Sequence, residues 1–369
     1  MGETVKIVWL GDVQAPYREP MFRELTALVD FSAAFFFREE KVRHWTWRPS
    51  PDYPSSLVGC WRVPLPAAIA RRLDSPMGLL RPGVARRLVK GSDAVIIQAF
   101  WQPANLAVVF WSKVLRKPYM IYAESTLHSR QFGGGLLHAV RSFVFRNAGA
   151  VIVPGPAARD AAIHDGAAPD RVVTSVNSVE LDEFMHRVRE LRDGEAGGPH
   201  RFVYVGQLIE RKNVAALLRA FAPLAGKATL DIAGDGVLME PLKALAAELA
   251  VADSVHFRGF LDEAGVVELL AECHTLVLPS TEEVYGFTAL EAHVAGLQTV
   301  VSDVSGIAPN LQDRPGCWVV PPTVEALAEA LVETCDQWSG WADDVDAEFA
   351  SPRRAAQDLV AAAERAARP

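Results

Sequence analysis

Cysteine is scarce in this chain of 369 residues: Cys60, Cys273, Cys317 and Cys335 are scattered and never form a Cys-x-x-Cys pair. That spacing fits neither a disulfide framework nor a zinc site. A long unbroken apolar run is also missing. The most apolar window, from Ala94 to Trp111, is interrupted by Gln98, Gln102, Pro103 and Asn105, which excludes a membrane-spanning helix there. The short run Lys6–Leu10 leads straight into Gly11 and Asp12, so it reads as a strand and not as a secretion signal. Low-complexity tracts and internal repeats are absent, so neither a long disordered region nor a repeat architecture is expected. The expectation is a cytoplasmic protein, peripheral on the inner face of a membrane at most.

What is present points to two domains. The chain is too long for one ordinary core, and half of it is hydrophobic. Its net charge of −8 is unevenly spread. Residues 1–190 carry 24 Lys and Arg against 18 Asp and Glu, and the remainder carries 13 against 27. Much of the basic excess sits in Arg71, Arg72, Arg81, Arg86, Arg87 and Lys90. Two readings stay open: a solvated helical face, or contact with anionic lipid headgroups or an anionic acceptor. The overall negative charge and the lack of a recognition module exclude nucleic acid as the expected partner.

Apolar runs of strand length alternate with helical patterns through both halves. In the first half the strands are Val5–Leu10, Phe31–Phe37, Ala94–Gln98, Tyr119–Tyr122, Ala150–Val153 and Val172–Ser175. A charged, glycine-rich stretch ending at Pro199 marks a linker. A second series follows at Phe202–Val205, Thr229–Ala233, Val255–Arg258, Thr275–Leu278, Thr299–Val301 and Trp318–Val320. Such alternation predicts two parallel, doubly wound α/β domains, with ligand at the carboxyl ends of their strands. The expected division is a first domain over 1–185, a linker over 186–200, a second domain over 201–345 and a C-terminal helix over 346–369 packing back on the first.

Three constellations carry chemistry. In the first, Gly206-Gln207-Leu-Ile-Glu-Arg211-Lys212 directly follows a strand. Two cations there suit a diphosphate, or are simply solvated in a loop. The second, Ala233-Gly-Asp-Gly236, lacks the third glycine of a dinucleotide fingerprint because Met239 stands in its place, so a tight strand-to-helix turn is the plainer reading. The third is Glu283-Val-Tyr-Gly286-Phe287-Thr288-Ala-Leu-Glu291, in which a strand, a glycine-bearing loop and a helix start follow in order. A helix N-terminus favours phosphate. Carboxylates repel phosphate and instead accept hydrogen bonds from sugar or ribose hydroxyls. Together these suggest a nucleoside diphosphate sugar. The alternative is a first-turn acid plus an exposed helical Glu.

Taken in order, each after a strand, these segments resemble the retaining GT-B glycosyltransferases of the glycosyltransferase 4 group. The matching text is Phe202-Val-Tyr-Val-Gly-Gln-Leu208 with Arg211-Lys212, Ala233-Gly-Asp-Gly236, Val255-His-Phe-Arg-Gly-Phe260, Val277-Leu-Pro-Ser280, Glu283 through Glu291, and Ala295-Gly296. Weaker matches are Asn177-Ser-Val-Glu-Leu-Asp-Glu-Phe184 and Pro16-Tyr-Arg-Glu-Pro-Met-Phe22. The resemblance implies a GT-B fold, two Rossmann-like domains facing across a cleft. It implies transfer of a hexose from a nucleoside diphosphate sugar, UDP ahead of GDP, to a glycan, lipid-linked or natural-product acceptor. It further implies that Glu291 holds the ribose hydroxyls and Glu283 faces the transferred sugar. The backbone of Gly286, Phe287 and Thr288 meets phosphate, and Lys212 neutralises the leaving diphosphate. Gly11, Gly206, Gln207 and Arg211 complete the implied donor-binding set. No metal or other cofactor is expected, because side-chain cations and the helix dipole stabilise the departing charge.

Two positions depart from the family pattern. Gln207 stands where Arg usually follows the first-strand glycine, and Glu124 stands about where many members carry a His. Glu124 is then either a sugar contact or a base toward the acceptor, or a loop acid with local hydrogen bonds. Trp45, Trp47, Trp61, Trp101 and Trp111 fall in the first domain; most are expected to be packing, and some to line an acceptor groove. Asp344-Val-Asp346 reads as a loop or cap and not as a metal motif. Two other functions stay open: a nucleotide-sugar epimerase, and a non-catalytic nucleotide-sugar-binding subunit of a partner transferase.

Overall fold

The computed structural model describes residues 4–40, 45–64, 77–98, 102–127, 135–175, 177, 181–192, 198–343, 345–346 and 348–367. The chain divides into two compact units, Met1–Val179 with Glu348–Pro369, and Glu180–Ala347.

The first unit is built on seven parallel strands: β1 (Lys6–Gly11), β2 (Asp30–Phe35), β3 (Ser55–Leu57), β4 (Ala94–Ile97), β5 (Tyr119–Tyr122), β6 (Ala150–Val153) and β7 (Val172–Thr174). Their order across the sheet is β7-β6-β5-β4-β1-β2-β3. Strand β1 shows why both faces are covered. Ile7 and Trp9 point into one core with Phe22, Leu25 and Phe31. Val8 and Leu10 point into the other with Val108, Val144 and Phe145. A strand buried on both faces reads as a continuous apolar run, which is why these strands are visible in the sequence. The helix Pro352–Ala367 lays Ala355, Leu359, Ala362 and Ala363 on the first of these cores.

The second unit has six parallel strands: β8 (His200–Val205), β9 (Ala228–Ala233), β10 (Val255–Gly259), β11 (Thr275–Leu278), β12 (Gln298–Ser302) and β13 (Cys317–Val320). They lie in the order β10-β9-β8-β11-β12-β13. The order reverses between β8 and β11, and a doubly wound sheet opens a ligand crevice at that reversal.

Several features differ from the sequence reading, among them two short antiparallel pairs, Glu39–Glu40 with Trp45–Thr46 and Cys60–Arg62 with Gly78–Leu80. The start of the expected 186–200 linker is helical, within the helix Leu181–Leu191. Phe184 and Val188, one turn apart, are buried there against the helices Glu263–Glu272 and Phe287–Val294, which makes this stretch part of the second unit. Strand β3 was not expected, because it is three residues long and mostly exposed. The division falls at Val179 and Ala347, so the expected boundaries at 185 and 345 each shift by a few residues. Residues Arg71, Arg72, Trp101 and Asp344 and the side chain of Trp45 lie outside the described residues.

Candidate functional site

The reversal in the second sheet places the loops after β8 and β11 side by side. The β8 loop turns at Gly206 and passes through the short turn Glu210–Lys212 to Asn213. Asn213 adopts a left-handed φ of 56°. Its amide donates to the carbonyl of Pro279, in the loop after β11, at 3.0 Å and to that of Pro322 at 3.0 Å. Thr281 N donates to Arg211 O at 2.9 Å, and the Arg211 guanidinium donates to Glu282 O at 3.3 Å. These bonds fix the two loops as one surface. On it Lys212 Nζ ion-pairs with Glu283 Oε2, and Ser280 Oγ lies 3.4 Å from the same oxygen. The side chains of Lys212 and Glu283 are 14% and 11% exposed, so each is held mainly by the other.

Behind Glu283 the chain turns at Gly286, whose φ is 107°, into the helix Phe287–Val294. A Cβ at Gly286 would stand 2.8 Å from Leu278 Cδ2 and 3.1 Å from Ile307 Cγ2, so the turn is seated tightly on the end of β11. The loop after β12 braces it further. Ile307 N donates to Tyr285 O at 2.8 Å, and Gly306 N donates to Glu283 O at 3.3 Å. Phe287 and Thr288 thus begin the helix, and a helix N-terminus is an end that favours an anion. Glu291 lies farther along this helix, partly buried beside Glu263. Burial, with a smaller contribution from the Glu263 charge, pushes its carboxyl up to about 7.

Ala233-Gly-Asp-Gly236 has a packing cause. A Cβ on Gly234 would stand 1.8 Å from Gly206 O, and one on Gly236 would stand 2.3 Å from Leu208 O. The loops after β8 and β9 therefore touch backbone to backbone, with Leu208 N donating to Asp235 O at 2.9 Å. Gln207 keeps its carbonyl on Tyr204 Oη at 2.9 Å. Val237 and Phe260, 83% and 79% exposed, stand just beyond β9 and β10.

Gly11 and Glu124 belong to the first unit. Gly11 ends β1, and a Cβ there would meet Gln98 Oε1 at 2.7 Å. Glu124 follows β5, and both its oxygens are engaged. Arg18 pairs with Oε2 at 2.9 Å and Asn177 donates to Oε1 at 3.0 Å. The Arg18 side chain is 4% exposed and lies over the rings of Tyr122, Trp9 and Tyr17 at 4.4, 5.0 and 5.0 Å. Tyr122 Oη completes the group by donating to Asn177 Oδ1 at 2.6 Å. The sequence reading named Glu124 but missed Arg18. The only signal for it was its place in Pro16-Tyr-Arg-Glu-Pro. Of the tryptophans, Trp47 and Trp111 pack partly against the two cores, and Trp61 is 49% exposed.

Residues 190–339 match the family described as glycosyl transferases group 1. The glycogen synthase of Mycobacterium tuberculosis is 30% identical over 252 residues, which are 64% of this chain and 58% of that protein. The first curated relatives are spanned over only 36% and 58% of their lengths. Among solved structures, HepE of Anabaena, in complex with UDP, is 17% identical with a TM-score of 0.67, covering 98% of this chain and 95% of that one. The lipopolysaccharide outer core galactosyltransferase WaaB in its apo form is 16% identical with a TM-score of 0.71, covering 97% and 99%. These likenesses show the GT-B fold of two Rossmann-like α/β domains.

Proposed function

We propose that this chain, whose residues 190–339 form a glycosyl transferases group 1 domain, moves a sugar from a nucleoside diphosphate sugar to a glycan, lipid-linked or natural-product acceptor. The observation that carries the reading is the convergence of Lys212, Glu283 and the N-terminus of the helix Phe287–Val294 at the reversal point of the second sheet. In the proposed complex the backbone of Gly286, Phe287 and Thr288 meets the diphosphate at the helix N-terminus. Lys212 and Arg211 neutralise the charge that builds as the sugar departs, so the step needs no metal. Glu283 accepts hydrogen bonds from the sugar hydroxyls, and Glu291 accepts them from the ribose. Val237 and Phe260 offer apolar surface to the base. The sugar's developing positive charge resembles an oxocarbenium ion, and the acceptor attacks the face the diphosphate leaves, with retention. UDP is proposed ahead of GDP, and the UDP held by the HepE structure supports that order.

In the first unit, Glu124 is assigned to the acceptor side, where Arg18 and Asn177 hold its carboxylate in place. Proton transfer through it requires the Arg18 pair to part. Calorimetric titration of the purified chain with UDP, GDP and dTDP tests the donor site, with Glu291→Ala as control. Micromolar binding of one nucleotide, weakened in the control, is the expected result. Binding of none would overturn the donor site. Binding without release of nucleoside diphosphate on addition of any acceptor would favour a partner-subunit role.

A further inference from the structure

Two helices of the first unit, Pro103–Leu115 and Gly135–Arg146, present an apolar face to water as well as to the core. On Pro103–Leu115 the inner side is ordinary: Ala104, Val108 and Val109 are buried in the sheet's core. The outer side is not. Leu106, Phe110 and Val114 recur at the i, i+4, i+8 spacing of one helical stripe, and Phe110 and Val114 are 60% and 54% exposed. On the second helix Phe143 is 55% exposed. A groove of about 410 Å³ runs between the two, lined by Leu106, Phe110, Val140 and Phe143, with Lys113 at its edge. A solvent-facing helix normally carries polar residues on that side, and a contiguous apolar patch marks an interaction surface.

The charge that the neighbouring helices themselves carry is of one sign. The helices Val84–Lys90, Pro103–Leu115 and Gly135–Arg146 contain no acidic residue. Between residues 77 and 147 the only acids are Asp93 and Glu124. Both are already engaged, Asp93 by the backbone N–H of Lys6 and by Lys117, and Glu124 by Arg18. Arg86, Arg87, Lys90, Lys113, Arg116 and Arg146 are exposed in this region. All of this occurs in a chain whose net charge is −8.

We propose that this face docks on an anionic lipid bilayer, with Phe110, Val114 and Phe143 entering the acyl boundary and Lys113, Arg116 and Arg146 meeting headgroup phosphates. Apolar side chains flanked by cations, on helices that lie along a surface, are the features such docking requires. Among the described residues no helix is long and apolar enough to cross a membrane, so the contact is peripheral. A second copy docking through the same face would set these cations against themselves, which disfavours a symmetric dimer there. Nucleic acid would satisfy the cations but leave the apolar stripe of Leu106, Phe110 and Val114 against water.

The test is co-sedimentation of the full chain with phosphatidylcholine vesicles, with and without about one third phosphatidylglycerol. The wild type is expected to pellet only with the anionic vesicles. Phe110→Ser with Phe143→Ser should weaken that binding at least about tenfold, with the melting temperature and nucleotide binding unchanged. Lys113→Glu with Arg146→Glu, both exposed changes, should do the same and should abolish its dependence on low salt. Wild type that stays in the supernatant, or variants of either kind that bind as wild type does, would overturn the proposal. A solution dimer dispersed by the serine changes would replace lipid with a second copy as the occupant.

Discussion

Removing the Lys212 ammonium while Glu283 remains should cost more than removing both. The pair lies at the joined loops after β8 and β11, and each side chain is less than 15% exposed. Two charges in contact in such a setting attract by about 4 kcal/mol at an effective dielectric near 20, and desolvation offsets part of that. Among the described residues, Lys212→Met would leave the Glu283 carboxylate with Ser280 Oγ, at 3.4 Å, as its hydrogen-bond neighbour. The expected loss is about 3 kcal/mol, because the buried charge is left unpaired. Glu283→Gln should cost about 1–2 kcal/mol, since a neutral amide still reaches Lys212. The double variant should then recover about 2 kcal/mol relative to the sum of the singles. Urea unfolding of the four proteins reads this coupling directly, provided the slopes agree. Nucleotide titration adds a contrast in sign. Lys212→Met should weaken UDP binding at least about tenfold. Glu283→Gln frees the cation for phosphate, so UDP affinity should hold or rise while sugar transfer is lost. A coupling below about 0.5 kcal/mol, or a Glu283→Gln variant that loses UDP as Lys212→Met does, would refute the reasoning.

Three further outcomes follow from the same geometry. The Glu291 carboxyl is raised to about 7 by burial and then by Glu263, so the folded state keeps a proton that the unfolded state has lost. Stability attached to that proton is complete below the unfolded value and declines as pH rises through about 7. Glu291→Gln should therefore gain on the order of 1 kcal/mol over wild type at about pH 8 relative to about pH 5, and equal differences in thermal melts at both pH values would contradict this. Gly234→Ala drives a Cβ to 1.8 Å from Gly206 O at a φ of +136° and should cost about 3 kcal/mol or more, whereas Gly259→Ala, at a φ of +70° with nothing within 4 Å, should cost about 1; equal urea midpoints would count against the backbone contact. Glu124→Gln should lower kcat more than donor affinity, because it alters the group held by Arg18 and leaves the second unit intact; an unchanged kcat would remove Glu124 from the reaction.

Local pattern made some of this legible and long-range contact hid the rest. Val277 and its neighbours in β11 read as a strand because all four residues are buried, which gives an unbroken apolar run. The turn at Ala233-Gly-Asp-Gly236 was readable as a turn, but its reason, the carbonyls of Gly206 and Leu208, lies in another loop. Charge made Arg187-Val-Arg-Glu190 look like linker, whereas Phe184 and Val188, buried one turn apart, seat it as a helix. Glu283 and Lys212 were each identifiable at a strand end, yet their contact depends on sheet order, which places β8 beside β11. Arg18 was missed because its partner Glu124 follows a strand far later in the chain. The basic stretch drew notice to Arg71–Lys90, whereas the exposed Phe110 and Phe143 lie on later helices, and exposure is a property of the packed unit.

The return of Pro352–Ala367 to the first unit has a consequence for biosynthesis. Leu359, Ala362 and Ala363 complete a core that begins with Ile7, Trp9 and Phe22. A ribosome moving from the N-terminus delivers the other walls of that core early and this one last. The second unit, whose residues are contiguous from Glu180 to Ala347, emerges whole while the first still exposes Phe22 and Leu25. A chain stopped short of Leu359 would therefore leave Phe22 and Leu25 of the first unit without the helix that covers them.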